Sequence, residues 1–95
     1  MTDVDAQTLK RWLSEDAEIA LVDVREPGQF GEAHLFFAVP LPYTRFEPGL
    51  PALVPNRSVR LVLCDGGDGV ARRAGARAEA LGYRRVHVLQ GGTPA

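Results

Sequence analysis

The residues best suited to chemistry in this chain surround one thiol. Cys64 is the single cysteine, and the glycine-rich segment Asp65-Gly66-Gly67-Asp68-Gly69 follows it directly. A short glycine-rich loop can curl so that successive backbone N–H groups point inward and hold an anion. If a helix follows, its first turn adds unpaired N–H groups and the positive end of the helix dipole. Both favour a thiolate, so the pattern predicts a nucleophilic Cys64 with the backbone amides of residues 65–70 as its anion cradle.

The same segment also fits a plainer interpretation. A lone cysteine at the end of a strand is commonly a buried small hydrophobe. Clustered glycines can serve only as a tight connection. One cysteine allows neither an internal disulfide nor a zinc site built from several thiolates. From its surroundings alone, Cys64 is therefore either a buried apolar residue or a working thiol.

Hydrophobic periodicity predicts the elements that position this thiol. The apolar run Ile19–Val24 is typical of a strand buried on both faces of a parallel sheet. The other predicted elements are a helix over Asp5–Ser14, a strand over Val59–Cys64, a helix over Val70–Leu81 that ends at Gly82, and a strand over Arg85–Leu89. Alternation of strands and helices indicates an α/β fold, with a small and mainly parallel sheet flanked by helices on both sides. Ligands bind at the carboxyl ends of such strands, which is where Cys64 lies.

The middle of the sequence is less regular. Residues 25–28 (REPG) predict a turn that leads into a short helix through Phe30. Residues 38–42 (AVPLP) can hold only a brief strand, because prolines do not donate to a ladder. Residues 48–55 fit a short helix or a packed loop equally well.

Composition excludes several classes of partner. The formal net charge of −1 gives no field that would attract nucleic acid or an anionic membrane. The sequence has no apolar run near the roughly 20 residues that span a bilayer. The acidic N-terminus is unlike a signal peptide. We therefore expect one soluble cytoplasmic domain over residues 1–95, without a nucleic-acid or membrane partner.

Two separated segments resemble the rhodanese-homology domain, the family of thiosulfate sulfurtransferases. The first is residues 23–30 (DVREPGQF), followed by residues 33–35 (AHL) and 38–41 (AVPL). The second comprises the strand before Cys64, the glycine loop, the alanine-rich helix, residues 81–83 (LGY), residues 86–89 (VHVL) and the final Gly91-Gly92. The resemblance runs from about residue 4 to the end of the chain.

The resemblance implies a sulfurtransferase fold and activity. Cys64 would take a sulfane sulfur from thiosulfate or a persulfide and pass it to cyanide or a thiol. The amides of Asp65, Gly66, Gly67, Asp68, Gly69 and Val70 would hold the anions, and no cofactor or metal is needed. By the same resemblance, Asp23 and Arg25 are structural support near the active loop. The donor could be a small molecule or a protein.

The loop departs from the family in its charge. Family loops often carry an arginine or lysine, whereas this one carries Asp65 and Asp68. Two unit charges 4 Å apart interact by about 1 kcal/mol in water and about 4 kcal/mol at an effective dielectric constant of 20. We therefore expect both carboxylates to point outward or to cap the next helix, and thiosulfate to be a weak donor at best. The acidic loop also leaves open a catalytically silent module that serves as a scaffold or as a sulfur or redox sensor.

Loop length and the chain end supply two further expectations. The loop aligns as one residue longer than usual, as in relatives that act as phosphatases or arsenate reductases. Those relatives clamp the oxyanion with an arginine at the position of Val70, so this activity is the less expected one. The family normally continues beyond Gly92 with an aromatic residue and a closing segment. We therefore expect a longer parent chain, whose other domains are candidate partners, with Phe36-Phe37 as a candidate contact.

Both histidines are expected to be structural rather than catalytic or metal-binding. His34 falls at the position of a family histidine that makes a local hydrogen bond. His87 alternates with valines on its strand and so projects from one face.

Overall fold

The structure is a computed structural model and describes residues 1–15, 18–25, 39–65 and 69–90. In chain order the elements of these ranges are β1 (Thr2–Val4), α1 (Ala6–Leu13), β2 (Ile19–Asp23), β3 (Val39–Pro40), a 3-10 turn (Tyr43–Arg45), α2 (Phe46–Leu53), β4 (Arg60–Cys64), α3 (Val70–Ala80) and β5 (Arg85–Leu89). The strands form one sheet in the order β1-β5-β4-β2-β3, and every neighbouring pair is parallel. The predicted α/β class is confirmed.

Helices cover both faces of the sheet, as predicted. Side chains of α2 and α3 pack with one set of strand residues, which includes Val22, Leu61 and Leu63. On the opposite face, α1 contributes Leu9 to a smaller cluster. Its other buried members are Val4, Leu21, Val62, Cys64 and Leu89. Successive side chains of a strand point to opposite faces, so the alternation along β4 places Cys64 on the α1 face.

The predicted elements agree with the structure to within a residue or two at each end. Asp5 caps α1, since its carboxylate accepts a hydrogen bond of 2.7 Å from the Thr8 amide. The ambiguity over residues 48–55 resolves into a helix, α2, which begins earlier than proline spacing suggested and contains Pro51. The turn and short helix expected at residues 25–30 extend beyond the described part of the chain, where His34 and Phe36-Phe37 also lie.

Strand β1 was not predicted. It has three residues and an exposed-exposed-buried pattern, which is too short for periodicity to detect. Its position comes from parallel pairing with β5, where Thr2 is opposite His87 and Val4 opposite Leu89.

Small residues let α3 approach the sheet closely. Its buried residues are Ala71, Ala74, Gly75 and Ala78. A Cβ atom on Gly75 would lie 3.3 Å from Cγ1 of Val86, so the helix backbone sits directly on β5. The chain then turns at Gly82, whose φ of +99° is the left-handed conformation expected after a helix end.

Among the described segments, no helix combines the length and the apolar character that crossing a membrane would require.

Candidate active site

Parallel pairing places Cys64 at the carboxyl edge of the sheet, between its two neighbouring strands. Across β2 and β4, Asp23 is the register partner of Cys64. The backbone N–H of Val24 donates to the Cys64 carbonyl at 3.0 Å, so the two chains stay paired one residue beyond β2. The sequence prediction that Cys64 ends a central strand is thus confirmed.

The Cys64 side chain is completely buried, with 0% of the residue exposed. Its Sγ lies 3.6 Å from the Val22 carbonyl oxygen, and the thiol donates to that oxygen. An S–H group is a weak donor, and this contact requires the protonated form. A reagent therefore reaches Sγ only when neighbouring atoms move.

Asp65 caps the helix that follows the loop. Its Oδ2 accepts a hydrogen bond of 2.7 Å from the Ala71 backbone N–H, and only 5% of the residue is exposed. The expectation that this carboxylate points outward or caps α3 is confirmed in its second form. Gly66, Gly67 and Asp68 lie outside the described residues, so the same expectation for Asp68 stays a prediction.

Gly69 sets the direction in which the chain enters α3. It is the N-terminal capping residue, with φ +88° and ψ 0°, a left-handed conformation that costs little only for glycine. Val70 follows as the first residue of the helix. The Gly69 carbonyl accepts from the Arg73 N–H at 3.5 Å.

A buried ion pair stands beside the thiol, on the neighbouring strand. The Arg25 guanidinium donates to both carboxylate oxygens of Asp23, with Nη2 to Oδ2 at 2.8 Å and Nε to Oδ1 at 3.1 Å. The Arg25 backbone N–H adds a bond of 3.0 Å to Oδ1. Because both residues are buried and bidentately paired, they fix the position of Arg25 relative to the end of β2. That the pair supports the active loop stays a prediction.

After β3 the chain runs along the carboxyl edge of the sheet, next to the end of β2. The Leu41 N–H donates to the Asp23 carbonyl at 2.9 Å, and the Tyr43 N–H donates to the Val24 carbonyl at 3.1 Å. These bonds anchor the start of the 3-10 turn beside the ion pair.

Two arginines of α3, Arg72 and Arg77, form ion pairs with residues outside the loop. Val70 stands at the end of the loop, where the phosphatase or arsenate-reductase relatives need arginine. Arg72 forms an ion pair with Asp3 on β1, a residue for which the sequence suggested no role.

His87 lies away from the thiol, inside β5, where its register partner is Val62. Its Nδ1 is 2.5 Å from the Thr2 hydroxyl, and the Trp12 ring meets it edge-on with centroids 4.8 Å apart. Burial lowers the pKa of His87, and the positive charge of Arg60 lowers it further. The ring is half-buried, and its structural role stays a prediction.

Within the described ranges, no three histidine, cysteine, aspartate or glutamate side chains come close enough together to hold a metal ion.

Comparisons with known proteins agree with this geometry. A family model described as the rhodanese-like domain matches residues 5–95. The structure superposes on a thiosulfate sulfurtransferase from Pseudomonas aeruginosa with a TM-score of 0.91 and 37% sequence identity. That alignment covers 97% of this chain but only 18% of the other protein.

More distant structures share the fold. The Alr3790 protein from Anabaena sp. aligns with a TM-score of 0.82 and 24% identity, over 95% of this chain and 80% of that one. A rhodanese with anions from E. coli aligns with a TM-score of 0.68 and 22% identity, over 78% and 85% of the two chains. No protein of curated function matched the sequence. The match over nearly the whole chain, together with the parallel sheet and a cysteine at the end of its central strand, shows that this protein belongs to the family of rhodanese-like domains.

Proposed function

We propose that this domain is a sulfurtransferase that carries a sulfane sulfur on Cys64. The observation that carries the proposal is the position of the thiol. Cys64 ends the central strand β4 and directly precedes the loop into α3, in a chain of the rhodanese-like family. In parallel α/β sheets this edge is where ligands bind.

The proposed reaction has two steps. The Cys64 thiolate attacks the outer sulfur of thiosulfate, a new S–S bond forms, and sulfite leaves with the electron pair of the broken S–S bond. A thiolate or cyanide then attacks the outer sulfur of the Cys64 persulfide, and the Cys64 thiolate leaves. Neither step requires a metal, a cofactor or a general-base histidine.

Backbone amides supply the electrostatic part of the proposal. N–H groups of residues 65–70 would hold the persulfide and the leaving anion, since preorganised donors stabilise charge where it develops. Asp23 and Arg25 are positioning residues in this scheme, because their bidentate pair holds the end of β2 beside β4. A small-molecule or protein persulfide is the proposed alternative donor.

The burial of Sγ sets a condition on this chemistry. With 0% exposure, the thiol meets a donor only when the side chains around it open. Such local openings have their own free-energy cost. The observed rate of sulfur loading is therefore the rate of the open form multiplied by the fraction of molecules that are open. We therefore expect sulfur loading to be slower than that of a free thiolate.

Mass spectrometry after incubation with donors tests the proposal. We expect a gain of about 32 Da, one sulfur atom, on the peptide that contains Cys64, with thiosulfate or with a hydropersulfide. The Cys64→Ser variant, which is nearly isosteric, should gain nothing. If no donor adds mass while denatured Cys64 still alkylates, the transferase proposal is wrong.

A catalytically silent module remains the second candidate, and two contacts favour it. The thiol donates to the Val22 carbonyl. The Asp65 carboxylate accepts a hydrogen bond from an amide at the N-terminus of α3, so that amide is already occupied. Titration of the thiol by alkylation rate separates the candidates. A midpoint near or above about 8.5, the ordinary cysteine value, supports the silent module, and a clearly lower midpoint supports the enzyme.

A further inference from the structure

We propose that a cavity between the 3-10 turn, α2 and α3 binds a free amino acid with an apolar side chain. The residues that line this cavity are Tyr43, Thr44, Phe46, Glu47, Pro48 and Arg77. The inference goes beyond the proposed sulfur chemistry. Phe46 belongs to the core on the face of the sheet that α2 and α3 cover, whereas Cys64 packs on the α1 face.

The cavity has the size and the apolar surface that such a ligand needs. Its volume is about 410 Å³, within the range of about 300–1,000 Å³ that is usual for ligand pockets. Phe46 and Pro48 form part of the wall. Phe46 is only 1% exposed and belongs to the core cluster, so this part of the wall is held in place by packing.

Two opposite charges stand at the cavity. Nη1 of Arg77 lies 3.2 Å from Oε1 of Glu47, and the two side chains are 57% and 56% exposed. The Arg77 guanidinium also donates a hydrogen bond to the Tyr43 hydroxyl. This bond, and then the charge of Glu47, raise the pKa of Arg77, so the guanidinium stays charged.

This pair of charges fits a zwitterion better than a simple ion. Ion pairs this exposed contribute little to stability, so Arg77 and Glu47 can separate at little cost. An amino acid carries an ammonium and a carboxylate on the same carbon. Its ammonium can pair with Glu47 and its carboxylate with Arg77, so two attractions replace one. A simple anion would meet the negative charge of Glu47 at short range, and a simple cation would meet the positive charge of Arg77.

Titration of the isotope-labelled protein with L-leucine, followed by two-dimensional NMR, tests the proposal. We expect saturable shifts of the backbone amide signals of Tyr43, Glu47 and Arg77. Isocaproate has the carbon skeleton of leucine without the ammonium group, and isoamylamine has it without the carboxylate. Each should bind at least about tenfold more weakly than leucine, because each loses one attraction and keeps one repulsion.

Charge variants test whether the ion pair is responsible. Arg77→Met and Glu47→Gln should each weaken leucine binding about tenfold or more. The exchange variant Glu47→Arg/Arg77→Glu restores both charges and should recover part of the affinity.

Arg72→Met is the matched control. Arg72 lies on the same helix as Arg77, is also 57% exposed and also pairs with a carboxylate, that of Asp3. Its loss changes the net charge by the same amount, so leucine affinity should stay within about twofold of the wild-type value.

Three results would overturn the proposal. One is the absence of saturable shifts with leucine. Another is equal affinity for leucine and isocaproate, which would mean an apolar pocket indifferent to the ion pair. The third is an Arg72→Met variant that loses as much affinity as Arg77→Met, because net charge alone would then explain the effect. None of these results bears on sulfur loading of Cys64, so the proposed function is tested separately.

Discussion

Asp23 and Cys64 are register partners on adjacent parallel strands, so the buried Asp23–Arg25 ion pair lies one strand away from the thiol. Parallel strands align their carboxyl ends at one edge of the sheet. The ion pair therefore fixes the end of β2 directly beside the end of β4, where Cys64 lies. A substitution that breaks the ion pair should therefore lower both the stability of the fold and the rate at which Cys64 takes up sulfur.

Removing one partner of this pair should be strongly destabilising. In Arg25→Met the Asp23 carboxylate stays buried without its guanidinium, and the expected loss in the free energy of unfolding is about 3–5 kcal/mol. The double variant Asp23→Leu/Arg25→Met leaves no unpaired charge and should lose less. Urea unfolding of both variants checks this. A single variant as stable as the double one would contradict the assigned role of the pair.

Gly69→Ala should lower stability through backbone conformation alone. At φ +88° a Cβ atom costs about 1–2 kcal/mol, and no described atom lies within 4 Å of the position it would take. Gly82→Ala is the control, since Gly82 also has a positive φ, of +99°, but lies at the other end of α3. Both variants should unfold at lower urea, but only Gly69→Ala should slow sulfur loading of Cys64. Equal loading in the two variants would argue against a role for the loop entrance.

His87 should make the protein less stable in mild acid. Burial, then Arg60, the N-terminal amine and Arg85, lower its pKa in the folded state. The unfolded chain therefore binds the proton more readily below about pH 6.5, and stability falls as pH decreases from there towards the folded-state pKa. In His87→Gln this contribution should be absent. Unfolding curves at several pH values check it, with His34→Gln as the control that keeps His87.

Tyr83→Phe should cost about 1–3 kcal/mol of unfolding free energy. The Tyr83 residue is 3% exposed, and its hydroxyl donates to the Val54 carbonyl at the end of α2. Without the hydroxyl, that buried acceptor loses its donor. Tyr43→Phe is a suitable control because Tyr43 is only partly buried and its hydroxyl contacts the exposed Arg77. Thermal unfolding that ranks the control as the more damaging change would contradict this reading of Tyr83.

Much of the fold follows from local sequence. The apolar runs that became β2 and β4, the alanine face of α3 and the capping Asp5 act through near neighbours in the chain, so periodicity and capping rules found them. Strand β1 was missed because three residues are too few to show a hydrophobic periodicity. Pairing with β5, more than 80 residues away, determines it.

The sequence by itself determined the family, the class of fold and the place of the single thiol at the end of a strand, because motif spacing and hydrophobic pattern are properties of the chain. Tertiary structure decided that Cys64 is buried on the α1 face, that Asp65 turns onto the N-terminus of α3, and that Asp23 stands level with the thiol. The burial of Cys64 against α1 and its alignment with Asp23 are relations between segments distant in sequence. They depend on strand register and on which face each side chain meets, and both are set only when the sheet assembles.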